Sequence, residues 1–181
     1  SGMYKNVLVI GAESLSSLVD WKDRSTCILF GDGAGAVVLR AEEGESYHMV
    51  THSDGSKGEA LTCDTGSFMK MDGQEGFKFA VRQVPACIAE VMEHNHLMAE
   101  DIDYFILHQA NRRIVEAVAK RMKVELTKFP MNLQEYGNTS SASIPLLLDE
   151  MNREGRLKKG QKLVLAGFGA GLSWGASLLE W

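Results

Sequence analysis

The segment HQANRRI, residues 108–114, holds the side chains with the clearest capacity for chemistry. It follows YFIL (104–107), an apolar run of the type that forms a buried strand. His108 therefore ends that strand, and open α/β sheets place their sites at the carboxyl ends of strands. An imidazole there can donate a hydrogen bond or move a proton near neutral pH. A purely structural histidine is the alternative, and this segment alone leaves both open.

Two further segments have patterns that could bind an oxyanion. YGNTSSASIPLLLDE (136–150) places Asn138 after Gly137, and the asparagine amide can both donate and accept hydrogen bonds. GFGAGLSWG (167–175) exposes backbone N–H groups that could face a developing negative charge. Capping of the next helix by Asn138 and close packing of the glycines remain the alternative interpretations, because each pattern alone is weak.

Other segments favour structural roles. In GDGAGAVVL (31–39) the third glycine comes too early for the dinucleotide fingerprint, and a β-branched run follows where a helix is required. This segment predicts a tight turn at a crowded sheet end. The remaining histidines lack the H-E-x-x-H arrangement of a zinc site, so we expect solvated or capping roles and no metal. They are His48, His52, His94 and His96.

The chain alternates strand-like and helix-like patterns. Apolar runs predict strands at 6–10, within 26–40 and at 101–107, and apolar residues three and four apart predict helices at 77–91, 109–122 and 144–151. Two final strands, KLVLAGFG and LSWGASLLEW, are joined too closely for a helical crossover, so at least one pair should be antiparallel. This order predicts a layered α/β fold.

Composition limits the classes of partner and location. The 181 residues are 45% apolar and 24% charged, with a formal net charge of −5. This is typical of a globular protein and argues against nucleic acid as a partner. No apolar run approaches the roughly 18 residues of a membrane span, and the first residues do not resemble a signal peptide. Cys27, Cys63 and Cys87 form no C-x-x-C pair, so we expect a reducing, cytoplasmic location.

Four segments in this order, FGDGAGAVVL, HQANRRI, YGNTSSASIPLLLDE and GFGAGLSWG, resemble the β-ketoacyl-acyl carrier protein synthase III family of condensing enzymes. The resemblance runs from Ser1 to Trp181. It implies a thiolase-like layered α/β fold, with a mixed sheet and packed helices, built from two similar halves. Residues 1–41 would be the last strands of the first half. Residues 42–181 would be the second half, which carries the catalytic histidine and asparagine.

The resemblance also implies a reaction. A cysteine takes an acyl group from acyl-CoA, and malonyl-acyl carrier protein then loses CO2 so that the carbanion attacks the thioester, which starts fatty acid synthesis. His108 and Asn138 match the catalytic histidine and asparagine. The backbone N–H of Ala170 matches an oxyanion donor, although the family often has glycine there, and Phe168 matches an aromatic wall of the site. No cofactor besides the two substrates, and no metal, is implied.

Further matches concern substrate delivery and assembly. The channel that receives CoA or phosphopantetheine is matched by Arg113, Asn111 and Gly73. The basic patch that meets the acidic carrier protein is matched by Lys78, Arg113, Lys120 and Arg121. A solvated helix face is the alternative interpretation of this patch. The resemblance implies that the full enzyme is a homodimer.

The family's nucleophilic cysteine has no match. It belongs to a turn before the strand NVLVIGAE, which would lie upstream of Ser1, and none of the three cysteines shows a helix N-terminus or a neighbouring cation. We therefore expect a truncated or clipped piece of a synthase that associates with its missing half or another copy and does not perform condensation alone. Two alternatives stay open: a non-catalytic module that binds CoA and the carrier protein, and a chalcone-synthase-like enzyme acting on CoA esters.

Overall fold

A computed structural model describes residues 3–43 and 48–181, so residues 1–2 and 44–47 of the two predicted halves lie outside the described residues. The chain begins with an antiparallel pair, β1 (Asn6–Glu13) and β2 (Gly33–Arg40). Strand β3 (Met49–Ser53) follows, and then β4 (Leu61–Thr62) pairs with β5 (Lys70–Met71).

Helices and strands alternate in the rest of the chain. In order, they are α1 (Gly73–His94), β6 (Tyr104–Leu107), α2 (Arg112–Met122), the single-turn α3 (Leu133–Tyr136), α4 (Ser143–Arg153), β7 (Lys162–Gly169) and β8 (Ser173–Glu180). Short 3-10 helices lie between them, including Ser140–Ala142 directly before α4. The predicted helices near 77–91 and 144–151 are confirmed.

Two predicted boundaries are wrong for local reasons. The segment 26–32 is not a strand, because the Asp23 carboxylate accepts the backbone N–H of Ser25 at 2.9 Å and the Thr26 hydroxyl at 2.9 Å, which folds this segment into turns. Helix α2 begins at Arg112 instead of Gln109, since the Asn111 side chain caps it by accepting the backbone N–H of Arg113 at 2.8 Å.

The main sheet has the order β3-β8-β7-β6. Strands β6 and β7 are parallel, whereas β8 runs antiparallel to both β7 and β3. The predicted antiparallel pair is therefore confirmed in the β7–β8 hairpin. Because β6 and β7 point the same way, their carboxyl ends meet at one edge of the sheet, beside the residues that follow Leu107 and Phe168.

Strand β6 is buried on both faces, as its apolar sequence predicts. Phe105 and Leu107 belong to a core formed with α1 and α2, whereas Ile106 belongs to a second core formed with α4. In α1 the predicted stripe is confirmed, with Val84, Ile88 and Val91 fully buried in the first core. The sheet therefore lies between two helical layers, and the position of β6 is fixed from both sides.

The β1–β2 pair packs on only part of its surface. Leu8, Ile10 and Val38 are respectively 59%, 62% and 71% exposed, which leaves a row of apolar side chains facing outward. Contiguous exposed apolar residues are unusual on the surface of a soluble monomer. Within the described ranges, no helix is both long enough and apolar enough to cross a membrane.

Candidate active site

A cavity of about 1000 Å³ opens at the carboxyl ends of β6 and β7. His108, Asn138 and Phe168 line it, although they come from three separate segments of the sequence. The other predicted site residues among its lining are Arg113, Asn111, Gly73 and Lys78. Ala170, Lys120 and Arg121 are exposed and lie outside this lining. The fold thus gathers most of the residues that the sequence singled out around one space.

His108 is fixed by contacts on several sides. Its backbone N–H donates to the carbonyl of Ala166 at 2.8 Å, which extends the β6–β7 ladder by one residue. Its Nδ1 lies 2.7 Å from the hydroxyl of Ser143. The ring meets the Phe168 ring edge to face, with 5.2 Å between the centroids. Ring position and orientation are therefore set before any substrate arrives.

Burial determines the charge of this histidine. Loss of solvation lowers the pKa of His108 from 6.5 to about 4, and the nearby Ser140 backbone offsets part of that shift. The imidazole is therefore neutral at pH 7. A neutral ring carries one N–H, so it can donate one hydrogen bond into the cavity while its other nitrogen accepts one.

The Asn138 backbone is held from both directions by the residues ahead of β2. Asn138 donates its N–H to the carbonyl of Leu29 at 2.8 Å, and its own carbonyl accepts the N–H of Gly31 at 2.9 Å. In the side chain, Oδ1 accepts the backbone N–H of Ser140 at 3.0 Å. The amide NH2 is therefore the end of Asn138 that remains available to donate to a ligand. Capping of α4 is not its role, because Ala142 occupies the N-cap position.

The turn before Asn138 requires glycine. Gly137 has a φ of +68°, in the left-handed region that disfavours side chains, and a Cβ there would lie 3.0 Å from the Leu29 carbonyl oxygen. Ser140, two residues beyond Asn138, also has a positive φ of 49°. Non-glycine residues seldom adopt this conformation, and such strain concentrates at functional sites.

The glycines of GDGAGAVVL make room for the segment that carries Asn138. A Cβ on Gly33 would lie 2.9 Å from Leu146 Cδ1, and a Cβ on Gly35 would lie 2.9 Å from Pro145 Cβ. The predicted crowding is confirmed, although both glycines lie inside β2 and not in a turn. These residues bring β2 close to α4.

Close packing does not explain the first two glycines of GFGAGLSWG. A Cβ on Gly167 or Gly169 would meet no heavy atom within 4 Å. Gly169 and Phe168 border the cavity, and Ala170 follows in the exposed turn between β7 and β8. An oxyanion contact from the Ala170 N–H stays a prediction.

The predicted channel residues lie at the start of two helices. Asn111 caps α2, and the Arg113 guanidinium lies over the ring of Phe77 at 5.5 Å from its centroid. Gly73 is the first residue of α1, next to its capping residue Asp72. Cation–aromatic contact restricts the arginine side chain while its charge remains exposed at the cavity.

The basic residues of the predicted patch differ in their surroundings. Lys78 Nζ lies 2.9 Å from Glu75, which also pairs with Lys57 at 3.3 Å. The pKa of Lys78 is raised by the hydrogen bond and charge of Glu75. Among the ion pairs of the described residues, none involves Arg113, Lys120 or Arg121.

None of the three cysteines, all of which the structure describes, lines the cavity. Cys87 is buried in α1, and desolvation raises the pKa of its thiol to about 11, with a smaller contribution from Glu90. Cys63 is exposed, as expected for a loop residue. Cys27 lies in turns ahead of β2, so its predicted place in a strand is wrong.

Two buried polar residues were not singled out from the sequence. Ser143 and Gln109 are 2% and 1% exposed, and both contact the surroundings of His108. Both residues lie in segments with candidate site residues. A serine before a helix is typical of a helix cap, however, and a glutamine after a strand has no distinctive pattern. Only the packing of α4 against the end of β6 shows that the Ser143 hydroxyl meets His108 Nδ1 and the backbone N–H of Gln109.

The other histidines lie away from the cavity. His52 Nε2 is 2.8 Å from a Glu90 carboxylate oxygen, and its ring packs near Trp174 at 5.5 Å. His48 meets His94 edge to face at 5.9 Å. Within the described residues, no group of three or more His, Cys, Asp or Glu side chains could hold a metal ion.

The sequence matches two models of one protein family. Residues 1–58 match the model described as 3-oxoacyl-[acyl-carrier-protein (ACP)] synthase III, and residues 92–181 match the model of its C-terminal part. The chain belongs to the 3-oxoacyl-[acyl-carrier-protein] synthase III family. The family resemblance stated from the four segments is thereby confirmed.

Individual family members show how much of the enzyme this chain represents. The beta-ketoacyl-[acyl-carrier-protein] synthase III of Clostridium novyi (strain NT) is 49% identical over 196 residues, an alignment that covers 100% of this chain and 60% of the relative. The corresponding Synechococcus sp. (strain WH7803) synthase is 47% identical, with 100% and 59% covered. The chain therefore spans about 60% of the length of these curated relatives.

Solved structures agree with the fold. The crystal structure of 3-oxoacyl-[acyl-carrier-protein] synthase III from Aquifex aeolicus VF5 superposes with a TM-score of 0.94 at 46% identity, covering 98% of this chain and 58% of that one. Xanthomonas campestris OleA, at 22% identity and a TM-score of 0.85, shares the fold alone. The predicted thiolase-like fold, with a mixed sheet and packed helices, is confirmed.

Proposed function

We propose that this chain forms part of a synthase that condenses an acyl-CoA primer with malonyl-acyl carrier protein, with loss of CO2, to start fatty acid synthesis. The observation that carries this proposal is the pair His108 and Asn138 on one cavity. His108 is neutral and held by Ser143, and Asn138 has its oxygen bound by Ser140 so that its NH2 is left to donate. Family membership supplies the reaction class.

Both side chains act as hydrogen-bond donors in the decarboxylation. When the bond between the malonyl carboxylate and its neighbouring carbon breaks, CO2 leaves and the electron pair moves into the thioester as an enolate. Its oxygen becomes negative, and the N–H of His108 and the NH2 of Asn138 stabilise it. The enolate carbon then attacks the acyl-enzyme thioester, whose C–S bond breaks to release the cysteine thiolate. Neither donor has to give up its proton.

The reaction needs no redox partner. One carbon–carbon bond breaks, another forms, and the thiolate leaves with the electron pair of the C–S bond, so no oxidant or reductant is consumed. We therefore propose that the two thioester substrates suffice without a cofactor. A cytoplasmic location fits the three cysteines, which form no C-x-x-C pair.

The nucleophile is proposed to come from outside these 181 residues. Reactive cysteines need a lowered pKa, whereas the Cys87 pKa is about 11, and none of the three cysteines borders the cavity. The chain alone should therefore decarboxylate malonyl-carrier protein without performing condensation, and the enolate should take a proton from water to give the acetyl-carrier protein. Sequencing the source gene upstream of the Ser1 codon tests this directly. A cysteine in a small-residue turn supports the proposal, and its absence favours a non-catalytic binding module.

Exposed cations at the cavity and farther along α2 are proposed to receive the acidic carrier protein. Arg113 and Lys120 are seven residues apart on α2, so they share a helix face, and no ion pair occupies either charge within the described part of the chain. Lys120→Glu should weaken carrier binding severalfold, mainly through slower association, and the loss should shrink at high salt. Lys158→Glu is the matched control, because Lys158 is exposed and follows α4 on the opposite face of the sheet.

This carrier test also separates the proposal from a chalcone-synthase-like enzyme acting on CoA esters. Such an enzyme has no use for a basic carrier-binding helix. If Lys120→Glu and Lys158→Glu changed turnover of malonyl-carrier protein equally, the carrier assignment of α2 would be wrong. Faster turnover of malonyl-CoA than of malonyl-carrier protein would favour the CoA-ester reaction.

Assembly is proposed to cover the apolar row on β1 and β2. Leu8, Ile10 and Val38 form an exposed apolar row of the kind that marks a contact surface. We assign this row to contact with the remaining part of the synthase, within a homodimer of the full enzyme. Sedimentation of the full-length enzyme should give the mass of a dimer, and a monomer at micromolar concentration would contradict this.

The test of function is release of labelled CO2 from carboxyl-labelled malonyl-carrier protein. His108→Ala and Asn138→Ala should each slow release by about 10²–10³, the usual cost of one oxyanion donor. His52→Ala is a matched control, since that histidine lies on β3 outside the cavity lining. Parent-like release by either site variant would overturn the donor assignment. Tight carrier binding with no release by the parent chain would favour the binding module.

A further inference from the structure

We propose that Ser143 is a positioning residue that fixes the tautomer of His108, so that the ring proton is on Nε2 and Nδ1 only accepts a hydrogen bond. This inference deepens the proposed function and rests on it for its consequence in the reaction. The tautomer itself can be measured without any turnover.

Within the described part of the chain, the Ser143 hydroxyl has two hydrogen-bond partners. Its oxygen accepts the backbone N–H of Gln109 at 3.2 Å, and it lies 2.7 Å from His108 Nδ1. A backbone N–H can only donate, so it cannot take the hydroxyl hydrogen. Of these two partners, only Nδ1 can accept that hydrogen. Ser143 therefore donates to Nδ1, and the proton of the neutral imidazole is on Nε2.

The opposite tautomer would leave a buried donor without an acceptor. With the proton on Nδ1, that nitrogen would donate to Ser143 Oγ. Among the hydrogen bonds of residues 3–43 and 48–181, none would then give the hydroxyl hydrogen an acceptor, although the side chain is only 2% exposed. A buried donor without an acceptor should shift the equilibrium between the two His108 tautomers toward the Nε2–H form by about tenfold or more. The same burial keeps water from taking over the hydroxyl.

A buried polar network holds Ser143 at this position. Gln109 Nε2 donates to the carbonyl of Leu107 at 2.7 Å, and Gln109 Oε1 accepts the backbone N–H of Asn132 at 3.2 Å. The Asn132 amide in turn donates to a Glu150 carboxylate oxygen at 2.8 Å. Ser143 and Glu150 both belong to α4, so the helix is tied to the end of β6 at two points.

This arrangement gives the Ser143 contact a chemical consequence. Ser143 occupies Nδ1, so Nε2–H is the ring group that can donate to an oxyanion, in place of any interaction it makes with the Ser140 backbone beside the ring. Contact with the Phe168 edge restricts rotation of the ring, and the lowered pKa keeps it from gaining a second proton at pH 7. Ser143 acts only through His108 and is not assigned a contact with substrate.

The experiment measures the His108 tautomer in the 181-residue chain by nitrogen NMR, with ¹⁵N in the histidine rings. At pH 7 the parent should show an unprotonated Nδ1 and a protonated Nε2, with the other tautomer at about a tenth or less. Assignment uses His108→Gln, which removes the signals. Ser143→Ala should raise the minor tautomer severalfold and slow CO2 release, whereas Ser143→Thr, which keeps a hydroxyl, should restore both.

The outcomes separate this inference from the proposed function. A parent ring protonated on Nδ1, or an unchanged tautomer ratio in Ser143→Ala, would overturn the role of Ser143 even if the chain releases CO2. The expected tautomer in a chain that releases no CO2 would leave Ser143 in place and reject the decarboxylation proposal. If Ser143→Thr does not fold, comparison of the parent with Ser143→Ala still shows whether Ser143 fixes the His108 tautomer.

Discussion

The lowered pKa of His108 predicts a specific dependence of stability on pH. The folded value is about 4 and the ordinary value is 6.5, so between these pH values the unfolded chain binds a proton that the folded chain does not. The free energy of unfolding should therefore be highest above pH 6.5 and fall as the pH decreases toward 4. At about 1.4 kcal/mol for each tenfold change in proton affinity, His108 contributes about 3 kcal/mol to this fall.

Urea unfolding of the parent and His108→Gln at a series of pH values from 7 to 4 measures this contribution. Carboxylates also titrate in this window, but they are common to both proteins, so the difference between the two curves isolates His108. Glutamine keeps a polar side chain and removes the titration. The difference should shrink by about 3 kcal/mol as the pH falls. His94→Gln, at the exposed end of α1, controls for loss of a histidine as such.

Parallel curves for the parent and His108→Gln would refute the reasoning, because they would show that His108 binds its proton equally well in both states. Proton NMR of the ring gives an independent check. The His108 ring signal should move only below about pH 5, the range set by its lowered pKa. A midpoint near 6.5 would mean that the site is more hydrated than its burial implies.

Two further predictions concern the packing of β2 against α4 and the anchoring of the segment that leads into β6. Gly35→Ala should lower the free energy of unfolding by about 1–3 kcal/mol, because the new Cβ would lie 2.9 Å from Pro145 Cβ. Gly76→Ala is the control: its Cβ would enter open space inside α1, so the free energy of unfolding should rise by about 0.5–1 kcal/mol. Urea unfolding measures both, and equal effects would contradict the packing argument. Lys128→Met should lower the free energy of unfolding by about 1–3 kcal/mol, because Lys128 Nζ donates to three carbonyls near β6, the shortest at 2.6 Å to Ile102. A thermal unfolding midpoint equal to that of the parent would refute this.

The elements that carry strong periodic patterns could be predicted from the sequence. YFIL is buried on both faces because its four apolar residues leave no polar face, and α1 has the stripe that its spacing predicts. In two places the apolar pattern predicted the wrong boundary, because local hydrogen bonds from side chains determine the backbone conformation there. The Asp23 carboxylate folds TCILF into turns despite its β-branched and aromatic residues, and Asn111 delays the start of α2.

Several residues that line the cavity could be named from the sequence, but the contacts that hold them could not. His108 and Asn138 stand in recognisable segments, and they line one cavity. The clamp on Asn138 by Leu29 and Gly31 joins positions more than a hundred residues apart, and nothing in either segment specifies the partner. The contact between Ser143 and His108 could not be predicted from the sequence either, because it depends on where α4 crosses the end of β6.

The two proposed donors belong to different sheets. His108 extends the four-stranded sheet through its hydrogen bond to Ala166, whereas Asn138 is held by residues just ahead of β2 in the two-stranded sheet. Helix α4 lies between them, with its first turn against Gly35 of β2 and its buried side chains against Ile106 of β6.

The distances at which α4 packs against β2 and against β6 therefore set the separation between His108 and Asn138. A substitution that pushes α4 away from β2 should move Asn138 relative to His108 without changing the burial that determines the His108 charge. Catalytic loss in such a variant would come from donor geometry, and the pH dependence of its stability would remain that of the parent.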